Sequence, residues 1–172
     1  GFLNLDREEG SGGGLQQGLL QMKKVYEANR SSAVAQIHLA NHFFFKKDLN
    51  KAKLLSEAAS QAAPNDKIKA EAFFILAKIS HVSGNFSDAL TNYQMASRLS
   101  PDFLPALYGL GQCFLARGDL DGALMMFTRI LDSDPQCPEV LRLVSLIHCA
   151  NVAKMPPGST RDELVERALK FL

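Results

Sequence analysis

Tryptophan is absent from this chain of 172 residues, tyrosine occurs only three times, and the formal net charge is only +1. The scarcity of these two residue types leaves few of the rings that stack on the bases of single-stranded nucleic acid. The near-neutral charge gives no overall attraction to nucleic acid or to an anionic membrane surface. We therefore predict that the protein binds neither nucleic acid directly nor a membrane.

Cysteine and long apolar runs are also scarce. The three cysteines, Cys113, Cys137 and Cys149, are odd in number and far apart, which is typical of free thiols in a reducing intracellular compartment. No apolar run approaches the ~20 residues that span a bilayer, and residues 1–9 lack the basic and apolar regions of a signal peptide. The sequence therefore predicts an intracellular protein without a membrane segment.

Apolar residues from Leu15 onward recur at helical spacing, and the alternation typical of strands is missing. A glycine, a small residue and a proline each recur after 34 residues. The three pairs are Gly84 and Gly118, Ala89 and Ala123, and Pro101 and Pro135. A turn, a small packing residue and a closing proline at one offset predict a repeated unit of two helices.

Two-helix units with this order of residues resemble the tetratricopeptide repeat. Their first helices carry a leucine before a small residue, in the pairs Leu39 and Ala40, Leu76 and Ala77, and Leu110 and Gly111. The resemblance implies an all-α fold, a right-handed superhelical solenoid of about four and a half repeats that presents surfaces for binding. The repeats are placed at 33–66, 67–103, 104–137 and 138–172, after a truncated repeat at 15–29.

Repeat two departs from the regular spacing. Pro64 and Pro101 are 37 residues apart instead of 34, which predicts an added turn in the segment NDKIKAEAF before the first helix of that repeat.

Catalytic and metal-binding patterns are missing. His38 and His42 are four residues apart, but the stretch HLANH has neither the general-base glutamate of a zinc peptidase nor a third ligand. Cys149 and His148 are adjacent, and adjacent helical side chains point about 100° apart, so they cannot form a nucleophile and base pair. We predict no enzyme activity, no metal and no cofactor.

Three consecutive phenylalanines, Phe43 to Phe45, form the most individual stretch. Their rings spread over about 200° of a helix, so they cannot all be buried against one neighbour. Phe43 is assigned to the core, and Phe44 or Phe45 to a partner. Ile37 stands where the tetratricopeptide carboxylate clamp has its first lysine, which disfavours a C-terminal carboxylate as ligand. The predicted partner-binding residues are Lys23, Lys24, His38, Asn41, Phe44, Phe45, Lys46, Lys47, Phe74 and Lys78.

A narrower resemblance lies in the segments HLANHFFFKKDLNKAKLL, HVSGNFSDALTNYQMA and YGLGQCFLARGDLDGAL. They are similar to tetratricopeptide scaffold subunits of the RNA polymerase II-associated factor (Paf) complex, over about residues 15–172. The resemblance implies a nuclear protein of transcription elongation that supports histone modification, binds other Paf-complex subunits and meets RNA polymerase II indirectly. A tetratricopeptide adaptor of another system, such as a cochaperone or ubiquitin-ligase assembly, stays open as the alternative.

Residues 1–9, GFLNLDREE, are joined to the repeats at 15–172 by the Gly/Ser linker 10–14. GFLN is similar to a Gly-aromatic-Leu-Asn segment of parafibromin, another Paf-complex subunit. The head is either a vector remnant or a partner peptide, whose fusion raises its effective concentration to about millimolar. In the second interpretation Phe2, Leu3 and Leu5 fill an apolar pocket. Asp6, Glu8 or Glu9 then meets Lys23, Lys24, Lys46 or Lys47.

Overall fold

The structure is a computed structural model that describes residues 13–153, 162, 163, 165 and 166. Residues 13–153 form eight α-helices, and no strand occurs in the described part of the chain. The helices are α1 (Gly13–Ala28), α2 (Ala33–Phe45), α3 (Leu49–Ala62), α4 (Asp66–Val82), α5 (Phe86–Leu99), α6 (Leu104–Ala116), α7 (Leu120–Ser133) and α8 (Pro138–Ala153). The all-α prediction is confirmed.

Helix starts follow the chemistry of the residues that precede them. Side-chain oxygens at the ends of short connections accept backbone N–H groups that have no partner within the helix. Such a residue precedes α2, α3, α4, α5 and α7. The five capping residues are Ser32, Asp48, Asn65, Asn85 and Asp119.

The turns inside the repeats share one unusual backbone conformation. Gly84 and Gly118 both have a φ of 76°, and Lys47 has a φ of 60° in the corresponding turn of repeat one. Glycine adopts this left-handed region freely, whereas a residue with a Cβ atom is strained there. Repeat one forms the same left-handed turn, but it has Lys47 where repeats two and three have glycine.

The added residues of repeat two lie inside a helix. Helix α4 has 17 residues, against 13 in α2, and Asn65 caps its start by accepting the backbone N–H of Ile68 at 3.0 Å. The segment predicted to form a turn before the helix therefore lengthens the helix itself. As a consequence, equivalent residues of α2 and α4 are 37 positions apart.

The predicted linker 10–14 differs from the structure at its second boundary. Helix α1 already includes Gly13 and Gly14. Nothing lies within 4 Å of a Cβ atom placed on Gly14, so packing does not demand glycine at that position. Glycine is a poor helix former, which is why the sequence pattern places these two residues in the linker. Residues 1–12 and most of the predicted second helix of repeat four lie outside the described residues.

The described chain divides into two compact units between Pro101 and Asp102. In the first unit, α2, α3 and α4 pack through small buried residues. Ala40, Ala52 and Ala77 have no exposed surface, which lets the helices approach closely. Leu39, Leu55, Ile75 and Phe43 fill the space between them, so Phe43 belongs to the core as predicted.

In the second unit, α6 and α7 meet at the pair Gly111 and Phe127. Phe127 is completely buried, and its ring lies directly over the backbone of Gly111. A Cβ atom on residue 111 would come within 2.5 Å of the ring atom Cε1, so only glycine fits without a shift. This contact explains why glycine follows Leu110 where alanine follows the leucine of repeats one and two.

Candidate protein-interaction surface

The first unit brings five of the predicted partner-binding residues together around one ammonium group. We call this group, formed by Lys78, Asn41, Phe44, Phe45 and Phe74, the Lys78 cluster. The Nζ atom of Lys78 lies 4.7, 5.0 and 5.8 Å from the ring centroids of Phe44, Phe74 and Phe45. It also donates a hydrogen bond of 2.9 Å to Oδ1 of Asn41. These distances lie within the range of cation–π interactions and of a good hydrogen bond.

Helix geometry and the repeat spacing together build the Lys78 cluster. Asn41, Phe44 and Phe45 are three and four residues apart on α2, so they share one face of that helix. Phe74 and Lys78 are likewise four residues apart on α4. Because equivalent residues of α2 and α4 are 37 positions apart, Asn41 and Lys78 occupy the same place in their two repeats, and the helices contact each other there.

The Lys78 ammonium is half-buried but has no carboxylate as its partner among the described residues. Burial lowers the pKa of Lys78, because a half-buried ammonium has lost part of its hydration. The aromatic faces and the Asn41 oxygen favour its charged form instead. No carboxylate of the described residues lies within ion-pair distance of Lys78. The cluster therefore presents a partly desolvated cation without a counter-ion from the described chain.

The three consecutive phenylalanines lie in three different environments, as helical geometry requires. Phe43 is 4% exposed, Phe44 is half-buried against the core, and Phe45 is 76% exposed. Phe74 is half-buried and packs its ring at 5.9 Å from that of Tyr93 on α5. Phe45 is therefore the ring of the cluster that offers most of its surface to a partner.

The other predicted partner-binding residues are not among the residues that surround the Lys78 ammonium. His38 is exposed on α2, and Lys46 and Lys47 are exposed in the turn that follows α2. Lys24 is exposed on α1, and Lys23 forms an ion pair of 3.9 Å with Glu27. The predicted ligand residues Phe2, Leu3, Leu5 and Asp6 lie outside the described residues.

Val82 was not among the predicted partner-binding residues. It is 66% exposed on α4. Val82 is 37 positions after Phe45, so it occupies the equivalent place in repeat two. The offset of 37 residues can be read from the sequence, and it could have identified Val82 as the residue of repeat two that corresponds to Phe45.

Other kinds of site receive no support from the described residues. Within them, no group of three or more His, Cys, Asp or Glu side chains could hold a metal ion. No helix in the same part of the chain is long and apolar enough to cross a membrane. The cysteines of the described residues form no disulfide, and Cys113 is buried, Cys137 half-buried and Cys149 exposed.

Comparison with known proteins agrees with the repeat architecture. Residues 83–147 match the family model described as "Tetratricopeptide repeat". The fold also resembles the crystal structure of YrrB, "a TPR protein with an unusual peptide-binding site", with a TM-score of 0.63 and 22% identity over 91% of this chain and 77% of that one. Residues 83–147 therefore match the tetratricopeptide repeat, and the fold of the described chain is similar to that of a solved tetratricopeptide-repeat protein.

Two of the relatives that the chain matches are CTR9 proteins. The chain is 32% identical to RNA polymerase-associated protein CTR9 of Caenorhabditis elegans over 140 residues, which cover 81% of this chain and 12% of the relative. It is 29% identical to Protein CTR9 homolog of Arabidopsis thaliana over 139 residues, or 78% of this chain and 13% of the relative. The chain therefore resembles CTR9 and spans about an eighth of the length of these relatives.

Proposed function

We propose that this chain is a nuclear interaction scaffold of the Paf transcription elongation complex. In this proposal its repeats bind a short apolar and acidic peptide of another subunit, most simply parafibromin, and meet RNA polymerase II only indirectly. Similarity to CTR9 over most of the chain supports the complex. The Lys78 cluster carries the proposal, because an exposed phenylalanine beside an uncompensated cation suits a peptide with apolar and acidic side chains.

The head GFLNLDREE has that chemistry, with Phe2, Leu3 and Leu5 before Asp6. The short distance between the head and α2 along the chain also supports the proposal. Helices α1 and α2 contact each other and are joined by residues 29–32, so they run antiparallel, and α1 begins at the end of the pair where α2 ends. Residues 10–12 separate Glu9 from the start of α1, and a fully extended chain of that length spans about 14 Å. The end of α2 that carries Phe45 is therefore within reach of the head.

A binding experiment tests the proposal on the full chain. The substitutions Phe2→Ser, Leu3→Ser and Leu5→Ser are made together, so that the chain's own head cannot compete. Fluorescein-labelled GFLNLDREE is then titrated with this protein and its anisotropy is recorded. We expect saturable binding that purified parafibromin displaces.

Phe45→Ser should weaken the peptide's binding about fivefold or more, because an exposed aromatic anchor is lost. The matched control is Leu54→Ser on α3, whose side chain is 55% exposed but lies on a different helix. Absence of saturable binding, or equal losses in Phe45→Ser and Leu54→Ser, contradicts the proposal. Binding of the peptide without displacement by parafibromin contradicts the choice of partner.

A further inference from the structure

The surface around the Lys78 cluster extends along both helices as two parallel rows of side chains. The residues of each row recur at intervals of three or four. Val34, Asn41 and Phe45 have their equivalents 37 positions later, in Glu71, Lys78 and Val82. We call the two rows the α2–α4 face. It consists of Val34, His38, Asn41 and Phe45 on α2, and Glu71, Phe74, Lys78 and Val82 on α4.

The α2–α4 face is apolar at one end. Phe45 and Val82 are 76% and 66% exposed and follow Asn41 and Lys78 by four residues. A rise of 1.5 Å per residue puts this apolar end about 6 Å along the helices from the Lys78 cluster. Two large exposed side chains at equivalent positions of adjacent helices form a patch that water solvates poorly.

The opposite end of the face carries a negative charge. Glu71 is exposed and lies seven residues before Lys78 on α4, about 10 Å along the helix axis. Its neighbour at the equivalent position of α2 is Val34, which is 45% exposed and uncharged. No ion pair of the described residues neutralises Glu71. The face therefore changes from apolar to cationic to anionic along one direction.

We propose that the α2–α4 face selects both the carboxylate and the direction of the peptide it binds. Phe45 and Val82 bind an apolar side chain, Lys78 and Asn41 bind the side-chain carboxylate that follows it, and Glu71 favours a basic residue beyond. This inference rests on the proposed function and adds the ligand's order of side chains to it. The head has that order in Leu5, Asp6 and Arg7.

Lys78 should bind the ligand's carboxylate more strongly than the exposed lysines that were predicted from the sequence. Lys46 and Lys47 are exposed, and a fully hydrated ion pair contributes little to affinity. The Lys78 ammonium has already lost part of its hydration on folding, so a charge-assisted hydrogen bond to it costs less further desolvation. The ligand group is a side-chain carboxylate, since Ile37, at the clamp's first lysine position, is 3% exposed and cannot contribute to a terminal-carboxylate clamp.

The anisotropy assay with the triple head variant tests this inference through paired substitutions in protein and peptide. We expect Asp6→Asn in the peptide to weaken its binding about tenfold on the parent protein, and only about twofold on Lys78→Met. The matched control protein is Lys53→Met, which removes an exposed lysine of α3 and should keep the tenfold loss. Circular dichroism establishes that each variant is folded.

Asn41→Ala provides a second route if Lys78→Met does not fold. It removes the hydrogen bond to Lys78, and we expect the loss caused by Asp6→Asn to shrink to about threefold.

Direction is tested with the reversed peptide EERDLNLFG, which has the same composition. We expect it to bind about fivefold more weakly than GFLNLDREE, and Glu71→Gln to reduce that difference to about twofold. Equal binding of the two peptides, or an equal Asp6→Asn loss on parent and Lys78→Met, overturns the inference but leaves the proposed function standing. No binding of any peptide overturns both.

Discussion

The Lys78 cluster of the first unit and the Gly111–Phe127 contact of the second use aromatic rings in opposite ways. Phe127 is completely buried against a backbone that lacks a side chain, whereas Phe45 keeps 76% of its surface exposed beside a cation. Lys78 and Gln112 each follow the small residue of their repeat, Ala77 or Gly111. Close packing of the helices therefore requires a small residue at positions 77 and 111. The next residue in each repeat is only half-buried, so its side chain can differ between repeats.

The sharpest test of this contrast replaces the two rings in the same way. Phe127→Ala should lower the free energy of unfolding by about 3–5 kcal/mol, because it removes a buried ring and leaves a cavity. Phe45→Ala should change it by less than ~0.5 kcal/mol, since the ring is exposed. Urea unfolding followed by circular dichroism measures both. Similar losses for the two variants would show that Phe45 is a structural residue rather than a binding residue.

The second test adds one methyl group at two glycines. Gly111→Ala should destabilise the protein by about 1–3 kcal/mol, because the new Cβ atom overlaps the Phe127 ring. Gly18→Ala, in the interior of α1, is the matched control, since nothing lies within 4 Å of its Cβ position. It should stabilise the protein by about 0.5–1 kcal/mol through helix propensity. Thermal unfolding gives the direction of each change, and a stable Gly111→Ala would contradict tight packing there.

The smallest expected effect concerns the turn beside the Lys78 cluster. Lys47→Gly should stabilise the protein by about 0.5–1 kcal/mol, because glycine relieves the strain of a φ of 60°. The reciprocal control Gly84→Lys, at a φ of 76°, should destabilise it by a similar amount. If Lys47→Gly has no effect in urea unfolding while Gly84→Lys does, the turn of repeat one is not strained like the others.

Much of the fold could be predicted from the spacing and types of residues along the chain. Helical spacing, capping residues and the 34-residue offset predict the order of the helices. The added turn of repeat two was located in the right segment, but Asn65 moves the helix start forward and places those residues in α4. The turn at Lys47 could not be recognised from glycine, because a lysine tolerates the same conformation at a cost.

The residue types of the Lys78 cluster were predictable from the sequence, whereas their spatial arrangement was not. Asn41, Phe44, Phe45, Phe74 and Lys78 follow from repeat positions and from three consecutive rings. Which ring is exposed depends on how α2 packs against α3 and α4, so the pattern alone left Phe44 and Phe45 as alternatives. The exposure of Val82 was not predicted, because valine is among the residue types most often buried.

The sequence by itself determined the helices, their repeat and the residue types of the candidate surface, since these depend on spacing and on interactions between near neighbours. Only the tertiary structure decided that Lys78 lies among three aromatic rings and within 2.9 Å of Asn41. Residues 37 positions apart meet only when two helices pack in register. That packing also removes water from the ammonium and lowers the pKa of Lys78.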